Sequence, residues 1–516
     1  MLGGGPQAMS LCIVEGRQQR RWPRAAATRR AHGSCWALPS SVWRRLHGPE
    51  CGRSLRCSSS TIHTGIAFVV APCARLTRQY PCARPPVLSP RAPMTATRAR
   101  PLIAFFDYPD VFEDFYPHYG VDQQAFATRW SATGSHAFIS LMQSGVGDVV
   151  WYCFSLRPEI SEARHETLGF RVRFLRSGWL HRSLWRLFYL PRMAWRWRGA
   201  YRGYATVASY LALLSWPLVR ALRRDRPDCL FVQSYSSGRF DVLLLAARLL
   251  GVPLIAYHAG GGPEGYLGRF LRHWTLAHAD CLIASGRSEA EMLASRFRVP
   301  RQRLRVILTP IDTEVFRPLD RAEACLAAGL DPARRHLLFV GRLDDSVKRV
   351  SALIRSFAGL SGRYADTDLL IAGDGPDGEK LRRLAAEQAP GRVCFLGWVS
   401  HTKDKVRLYN AAECLLLPSL REGFPTVVAE AMASGTPALA TGNSSAGELV
   451  IDGHTGWLLP PGDDEALLDR LRWVLDNPQA IAAMRPQARE LAESCVCPAV
   501  VAAQLRECFR LDRTYG

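Results

Sequence analysis

Two carboxylates and two cations stand out by their spacing in the C-terminal half of the chain. Glu422 and Glu430 have seven residues between them, and Arg342 and Lys348 have five. Between the carboxylates lies Pro425, which suits the first turn of a helix. Val427 to Met432 is good helix material, and Gly435-Thr436-Pro437 stops it. Glu422 then sits in a loop and Glu430 inside a helix, about a turn and a half further along the axis at ~1.5 Å per residue. That separation excludes a tight dyad sharing one proton. It suits two carboxylates bracketing a ligand that lies across the helix start. Backbone N–H groups around Phe424 to Val427 favour a phosphate there. A diphosphate with a hydroxyl-rich ring at each end has the right shape. Arg342 offers a planar fork and Lys348 a point charge, a common pairing for diphosphate oxygens. Taken singly, Glu422 reads as a solvated loop charge and Glu430 as a surface helix residue.

The elements that must hold these residues follow from the apolar runs. Strand-like segments occur at Leu102 to Phe106, Asp148 to Phe154, Phe170 to Phe174, Cys229 to Val232, Pro253 to Tyr257 and Cys281 to Ala284. A second series runs through Leu337 to Val340, Leu369 to Ala372, Val393 to Leu396, Cys414 to Leu417 and Ala438 to Ala440. Helical segments separate them, among them Asp122 to Trp130, Asp241 to Leu250, Tyr266 to Ala277, Val350 to Leu360 and Gly378 to Gln388. Ala205 to Arg224 reads as one long helix containing Pro217. The tail from Glu465 reads as helical, broken at Pro478, Pro486 and Pro498. Alternation of this kind predicts an α/β architecture of two doubly wound, Rossmann-like halves with a ligand cleft between them.

Charge is uneven. The chain of 516 residues carries a formal net charge of +20, and residues 1–93 hold 14 Arg against only Glu15 and Glu50. A general nucleic-acid reading from net charge is therefore excluded. Residues 1–93 lack periodicity and leave three readings open: an organelle transit peptide, a disordered basic arm, or sequence upstream of a true start at Met94. Cysteines at apolar positions such as Cys229, Cys281, Cys394 and Cys414 read as buried thiols of a reducing compartment. From Trp179 to Arg202, Arg and aromatic residues interleave with no acid among them. Such a stretch suits an anionic lipid surface, an ordinary helix with aromatics inward, or stacking on single-stranded nucleic acid. The lipid surface is carried forward, with no nucleic-acid partner.

Further signals cluster at strand ends. Gly341 follows Val340. Ala372-Gly373-Asp374-Gly375-Pro376 is a glycine-rich turn that matches neither a Walker loop nor GxGxxG. Leu396-Gly397-Trp398-Val399 lets a flat base approach the backbone. With the Glu422/Glu430 stretch, Ile311 to Pro318 and Gly453 to Pro460, these motifs occur in an order that resembles glycosyltransferase family 4 over roughly residues 300–475. That family comprises retaining, nucleotide-sugar-dependent enzymes of GT-B fold.

The resemblance implies roles. Arg342 and Lys348 hold the donor diphosphate. Glu422 and the backbone of Gly423 to Pro425 face the donor sugar. Glu430 binds ribose hydroxyls, and the main chain of Trp398 and Val399 holds the base. Gly341, Gly373, Phe424 and Thr426 complete the donor site, and His258 lies near the reacting sugar. It implies a basic extension (1–100), an acceptor domain (101–315), a nucleotide-sugar domain (316–490) and a helical tail (491–516). The expected acceptor is a lipid-linked or cell-envelope saccharide. A free sugar or glucan, or non-catalytic nucleotide-sugar binding, stand as alternatives. No metal or other cofactor is expected. The expected place is the cytoplasm, at the inner face of the plasma membrane. Two departures stand out. One extra residue separates the cations, leaving Lys348 or Arg349 as the second. Asp107 to Asp110 replaces the glycine pair that follows the first strand in the family.

Overall fold

Short apolar runs become parallel strands because both of their faces are covered by helices. A computed structural model describes residues 100–510 apart from 108, 115, 131–133, 189–206, 258–268, 400 and 443–444. The described residues belong to one compact unit.

The first sheet contains β1 (Leu102–Phe106), β2 (Asp148–Ser155), β3 (Glu162–Arg164), β4 (Arg171–Arg176), β5 (Cys229–Gln233), β6 (Leu254–Tyr257), β7 (Cys281–Ala284) and β8 (Leu304–Val306). Their order is β3-β4-β2-β1-β5-β6-β7-β8. Only the β3–β4 pair is antiparallel. Helices α1 (Gln123–Thr128), α2 (Gly134–Gly145), α3 (Trp179–Phe188), α4 (described over 207–213), α5 (Trp216–Asp225), α6 (Gly238–Leu250), α7 (Arg269–Ala277) and α8 (Arg287–Arg296) accompany it.

The second lobe starts with α9 (Arg321–Ala327), followed by β9 (Arg335–Val340), α10 (Asp345–Lys348), α11 (Val350–Ser361), β10 (Thr367–Ala372), α12 (Gly378–Gln388) and β11 (Val393–Gly397). It continues with α13 (Thr402–Ala411), β12 (Cys414–Leu417), α14 (Thr426–Ala433), β13 (Ala438–Thr441), β14 (Gly456–Leu459) and α15 (Asp464–Asp476). The strand order is β11-β10-β9-β12-β13-β14. The order therefore reverses between β9 and β12, where a crevice opens beyond the strands' carboxyl ends.

Three expectations change. The expected single helix over 205–224 is, from residue 207 onward, two helices. Leu214 and Ser215 interrupt it, the Ser215 hydroxyl accepts from Leu218 N at 3.3 Å, and Pro217 occupies the first turn of α5. Proline there gives up an N–H that has no helical partner anyway, so the sequence starts a helix where continuity was expected. Pro486 does not break the tail, because α16 (Pro478–Val496) runs through it. That helix also crosses the expected boundary at residue 491. The final helix, α17 (Pro498–Arg510), returns to the first lobe. Its Val501, Leu505 and Cys508 are buried in one core with Phe105, Phe138 and Trp151.

The junction between the lobes is pinned by polar groups. Arg489 on α16 donates to Thr313 O, Phe316 O and Ala433 O at 3.0, 2.7 and 2.6 Å. Asn410 accepts from Leu319 N and donates to Arg317 O. The end of α14 is thus tied to the segment 313–317 that crosses between the lobes.

Candidate functional site

The predicted cations and carboxylates meet at the β9/β12 reversal. Val340 ends β9, and Gly341 and Arg342 follow it into the crevice. Leu417 ends β12 on the neighbouring strand, and the loop from Pro418 to Pro425 leads into α14. Leu420 N donates to Val347 O at 2.8 Å, which holds this loop against α10. Lys348, the last residue of α10, donates to Glu422 Oε1 at 2.5 Å. Arg349 turns away. Its backbone is left-handed, with φ of 54°, and its guanidinium binds Gly462 O and Asp464. Of the two candidate cations, Lys348 is thus the one that meets Glu422. Arg342 is exposed and makes no ion pair among the described residues.

Backbone donors complete this corner. Pro425 has no N–H, and Thr426 N is spent on Phe424 O at 2.9 Å. The N–H groups of Gly423, Phe424 and Val427 donate to nothing among the described residues. Ser445 fixes the loop by donating to Gly423 O at 2.7 Å. The Lys348 and Glu422 side chains are only 20 % and 13 % exposed, so the pair is largely shielded from water and Glu422 holds Lys348 in place. Lys348 also has three donors, and Glu422 occupies one.

Glu430 is not a surface residue. It is 6 % exposed, with Lys405 Nζ on one oxygen at 2.8 Å and Tyr409 Oη on the other at 2.7 Å. Burial, reinforced by the neighbouring Glu430 charge, pushes the Tyr409 hydroxyl well above its ordinary range, so it stays a donor. Lys405 also lies over the Phe316 ring at 5.5 Å. An ionised carboxylate has about four lone-pair directions, so two partners leave room for sugar hydroxyls. Sequence reasoning missed Lys405 and Tyr409; their signal is an i, i+4 pair on α13 that faces Glu430.

The strand-end glycines are there for convergence. A Cβ on Gly373, whose φ is 150°, would sit 1.8 Å from Gly341 O. Its own N–H goes to Gly397 O at 2.7 Å. Gly373 therefore draws the ends of β9, β10 and β11 together and has no N–H left for a ligand. Trp398, just beyond β11, is 67 % exposed, and Val399 is half-buried against the core. Asp344 accepts from Ser346 Oγ and Asp345 from Ser351 N, so both are occupied locally. Among the described residues, no group of three His, Cys, Asp or Glu side chains could hold a metal ion.

In the first lobe, His258 lies outside the described residues, as do residues 189–202 of the arginine–aromatic stretch. The Asp107–Asp110 loop that stands in for a glycine pair is locked from beneath. Arg239 of α6, fully buried, donates to Asp107 O, Pro109 O and Asp110. Tyr116 Oη and Ser135 Oγ donate to the Asp107 carboxylate. An arginine in the first turn of a largely apolar helix was the available signal. Beside this loop a cavity of about 600 Å³ opens at the ends of β1 and β2, walled in part by Gln123, Arg157, Arg182 and Trp185. Trp185 Nε1 donates to Asp114 Oδ1 at 3.0 Å. Of the thiols expected to be buried, Cys229, Cys281 and Cys414 are, whereas Cys394 is half-buried because β11 is an edge strand. Burial pushes Cys414 up to about 12.

Residues 327–491 match the family model described as glycosyl transferases group 1, and residues 141–315 match that of glycosyltransferase family 4. A D-inositol 3-phosphate glycosyltransferase from Mycobacterium sp. (strain KMS) is 36% identical over 225 residues, 42% of this chain and 50% of that protein. One from Rhodococcus jostii (strain RHA1) is 30% identical over 259 residues, 48% of this chain and 56% of that protein. The chain thus spans about half the length of these curated relatives. Among solved structures, Anabaena Alr3699/HepE in complex with UDP superposes with a TM-score of 0.59 at 17% identity, over 79% of this chain and 99% of that one. Sucrose-phosphate synthase from Thermosynechococcus elongatus gives 0.60 at 21% identity, over 81% and 100%. These likenesses show the fold, the two Rossmann-like lobes of the GT-B class.

Proposed function

The chain belongs to the group 1, family 4 glycosyltransferases, and on that footing we propose that it moves a sugar from a nucleoside-diphosphate donor to a saccharide acceptor. Transfer proceeds with retention at the anomeric carbon and without a metal. The observation that supports this reading best is the corner at the β9/β12 reversal. There an unpaired Arg342, a Lys348 with donors to spare and the open N–H groups of Gly423, Phe424 and Val427 converge.

Breaking the sugar–phosphate bond leaves positive charge at the anomeric carbon and negative charge on the departing diphosphate. Arg342, Lys348 and the α14 start stabilise the leaving group as charge develops, Lys348 from a position held by Glu422. Glu422 orients Lys348 and faces the donor sugar. Glu430 receives the ribose hydroxyls on the lone pairs that Lys405 and Tyr409 leave. The main chain at Trp398 and Val399 takes the base, for which uracil is the first choice because HepE was solved with UDP. His258, the next residue in sequence after β6, is assigned to the reacting sugar by the family resemblance alone.

The acceptor is a lipid-linked or cell-envelope saccharide handled at the cytoplasmic face of a membrane. A second reading, a small phosphorylated polyol, has support in the names of the curated relatives. A panel of nucleotide sugars, scored by release of the nucleoside diphosphate, tests the reaction. At least one donor should turn over, and Glu422→Gln should slow it roughly 100-fold by loosening Lys348. Absence of release from every donor would overturn the proposal.

A further inference from the structure

Gly178 N donates to Ala212 O at 3.0 Å, and a Cβ on Gly178 would meet Leu214 O at 2.7 Å. This close approach sets the start of α3 against the turn between α4 and α5. Three large apolar side chains come to the surface there: Trp179 is 71 % exposed, and Leu214 and Trp216 are each 63 % exposed. Leu180 and Val219 are exposed beside them. The burial of α5 explains the placement. Leu218, Ala221 and Leu222 face the core, which turns Trp216, Val219, Arg220 and Arg223 outward. No acid occurs anywhere from Arg171 to Arg224, while that stretch holds twelve arginines. Arg176, Arg186, Arg220 and Arg223 are exposed and form no ion pair among the described residues. The nearest carboxylates are occupied: Glu162 and Asp225 by Arg173, and Asp114 by Trp185.

We propose, resting on the lipid-linked acceptor reading above, that this face docks on an anionic lipid surface. Aromatic rings and leucine side chains enter the interfacial layer, and the arginines around them meet lipid phosphates. Charge complementarity sets the partner's sign, and exposed Leu214 and Val219 set its apolar character. A nucleic-acid strand would use the rings and cations but leave the aliphatic groups in water. The same helix, α3, turns Arg182 and Trp185 to the cavity at the ends of β1 and β2. Docking therefore brings that cavity close to headgroup level, within reach of an acceptor still attached to its lipid.

The test is sedimentation of the whole chain with vesicles of phosphatidylcholine alone or mixed with phosphatidylglycerol. The parent should partition onto the phosphatidylglycerol vesicles and be released by salt. Arg220→Ser with Arg223→Ser should lower partitioning roughly tenfold or more, and Leu214→Ser with Trp216→Ser should lower it comparably. Both variants should keep the parent's melting temperature and its stabilisation by UDP, which separates failure of docking from failure of the glycosyltransferase reading. Equal partitioning onto both vesicle types, or variants that sediment like the parent, would overturn the proposal. So would binding of a single-stranded oligonucleotide without any binding to vesicles.

Discussion

Glu430 is held from two sides by residues one helical turn apart on α13, and the two partners are not equivalent. Lys405 balances its charge, while Tyr409 supplies a neutral hydrogen bond. Removing the tyrosine hydroxyl should cost about 1–2 kcal/mol. Removing the lysine leaves a buried carboxylate without its counter-charge, which should cost about 3–5 kcal/mol. Urea unfolding of Tyr409→Phe and Lys405→Met checks the order; equal losses would mean that Lys405 does not balance the charge. Glu422, Glu430 and Arg342 stood out in the sequence because each lies in a motif of fixed spacing, whereas an extra residue left Lys348 and Arg349 both open as the second cation. Lys405 did not stand out. It lies between Lys403 and Arg407, and only the docking of α13 on α14 shows which cation turns inward. Arg239 was hidden for a similar reason: its partners are backbone carbonyls more than a hundred residues earlier.

Among the elements, the strands were the most readable and the breaks between helices the least. A parallel strand buried on both faces is a continuous apolar run, so β1, β5, β9 and β12 announce themselves. The edge strand β3 is only Glu162–Arg164, and its burial is slight. Such a segment has no apolar signal to read. The α4–α5 break depends on one serine cap, and Pro217 fits either a kinked helix or a new start. The turn after β10 has a sharper requirement. Gly373 sits where a Cβ would overlap the Gly341 carbonyl, so Gly373→Ala must push the ends of β9 and β10 apart. That strain should cost about 3 kcal/mol and weaken donor binding by moving Arg342. A variant with parent-like melting temperature and parent-like donor affinity would show that the close approach is not needed.

At the scale of the whole molecule, contacts among the described residues couple the two lobes and the segment between them. Arg489 clamps the junction to the end of α14. Helix α17 returns to the first lobe's core. Arg287 at the start of α8 pairs with Glu448, at 3.1 Å, in the segment whose Ser445 holds the Gly423 carbonyl. The loop at the α14 start is therefore tied to the first lobe as well as to its own. The return of the C-terminal helix could not be read from the sequence, because amphipathic helices carry no address for the core they cover.

The central claim is that a nucleoside diphosphate binds at the β9/β12 reversal with Arg342 on its phosphates. Calorimetric titration of UDP into the parent and into Arg342→Ala tests it most directly. Loss of one charge-assisted contact is worth about 2 kcal/mol, so the variant should bind roughly 30-fold more weakly. Binding of UDP with the same affinity by both proteins would contradict the account.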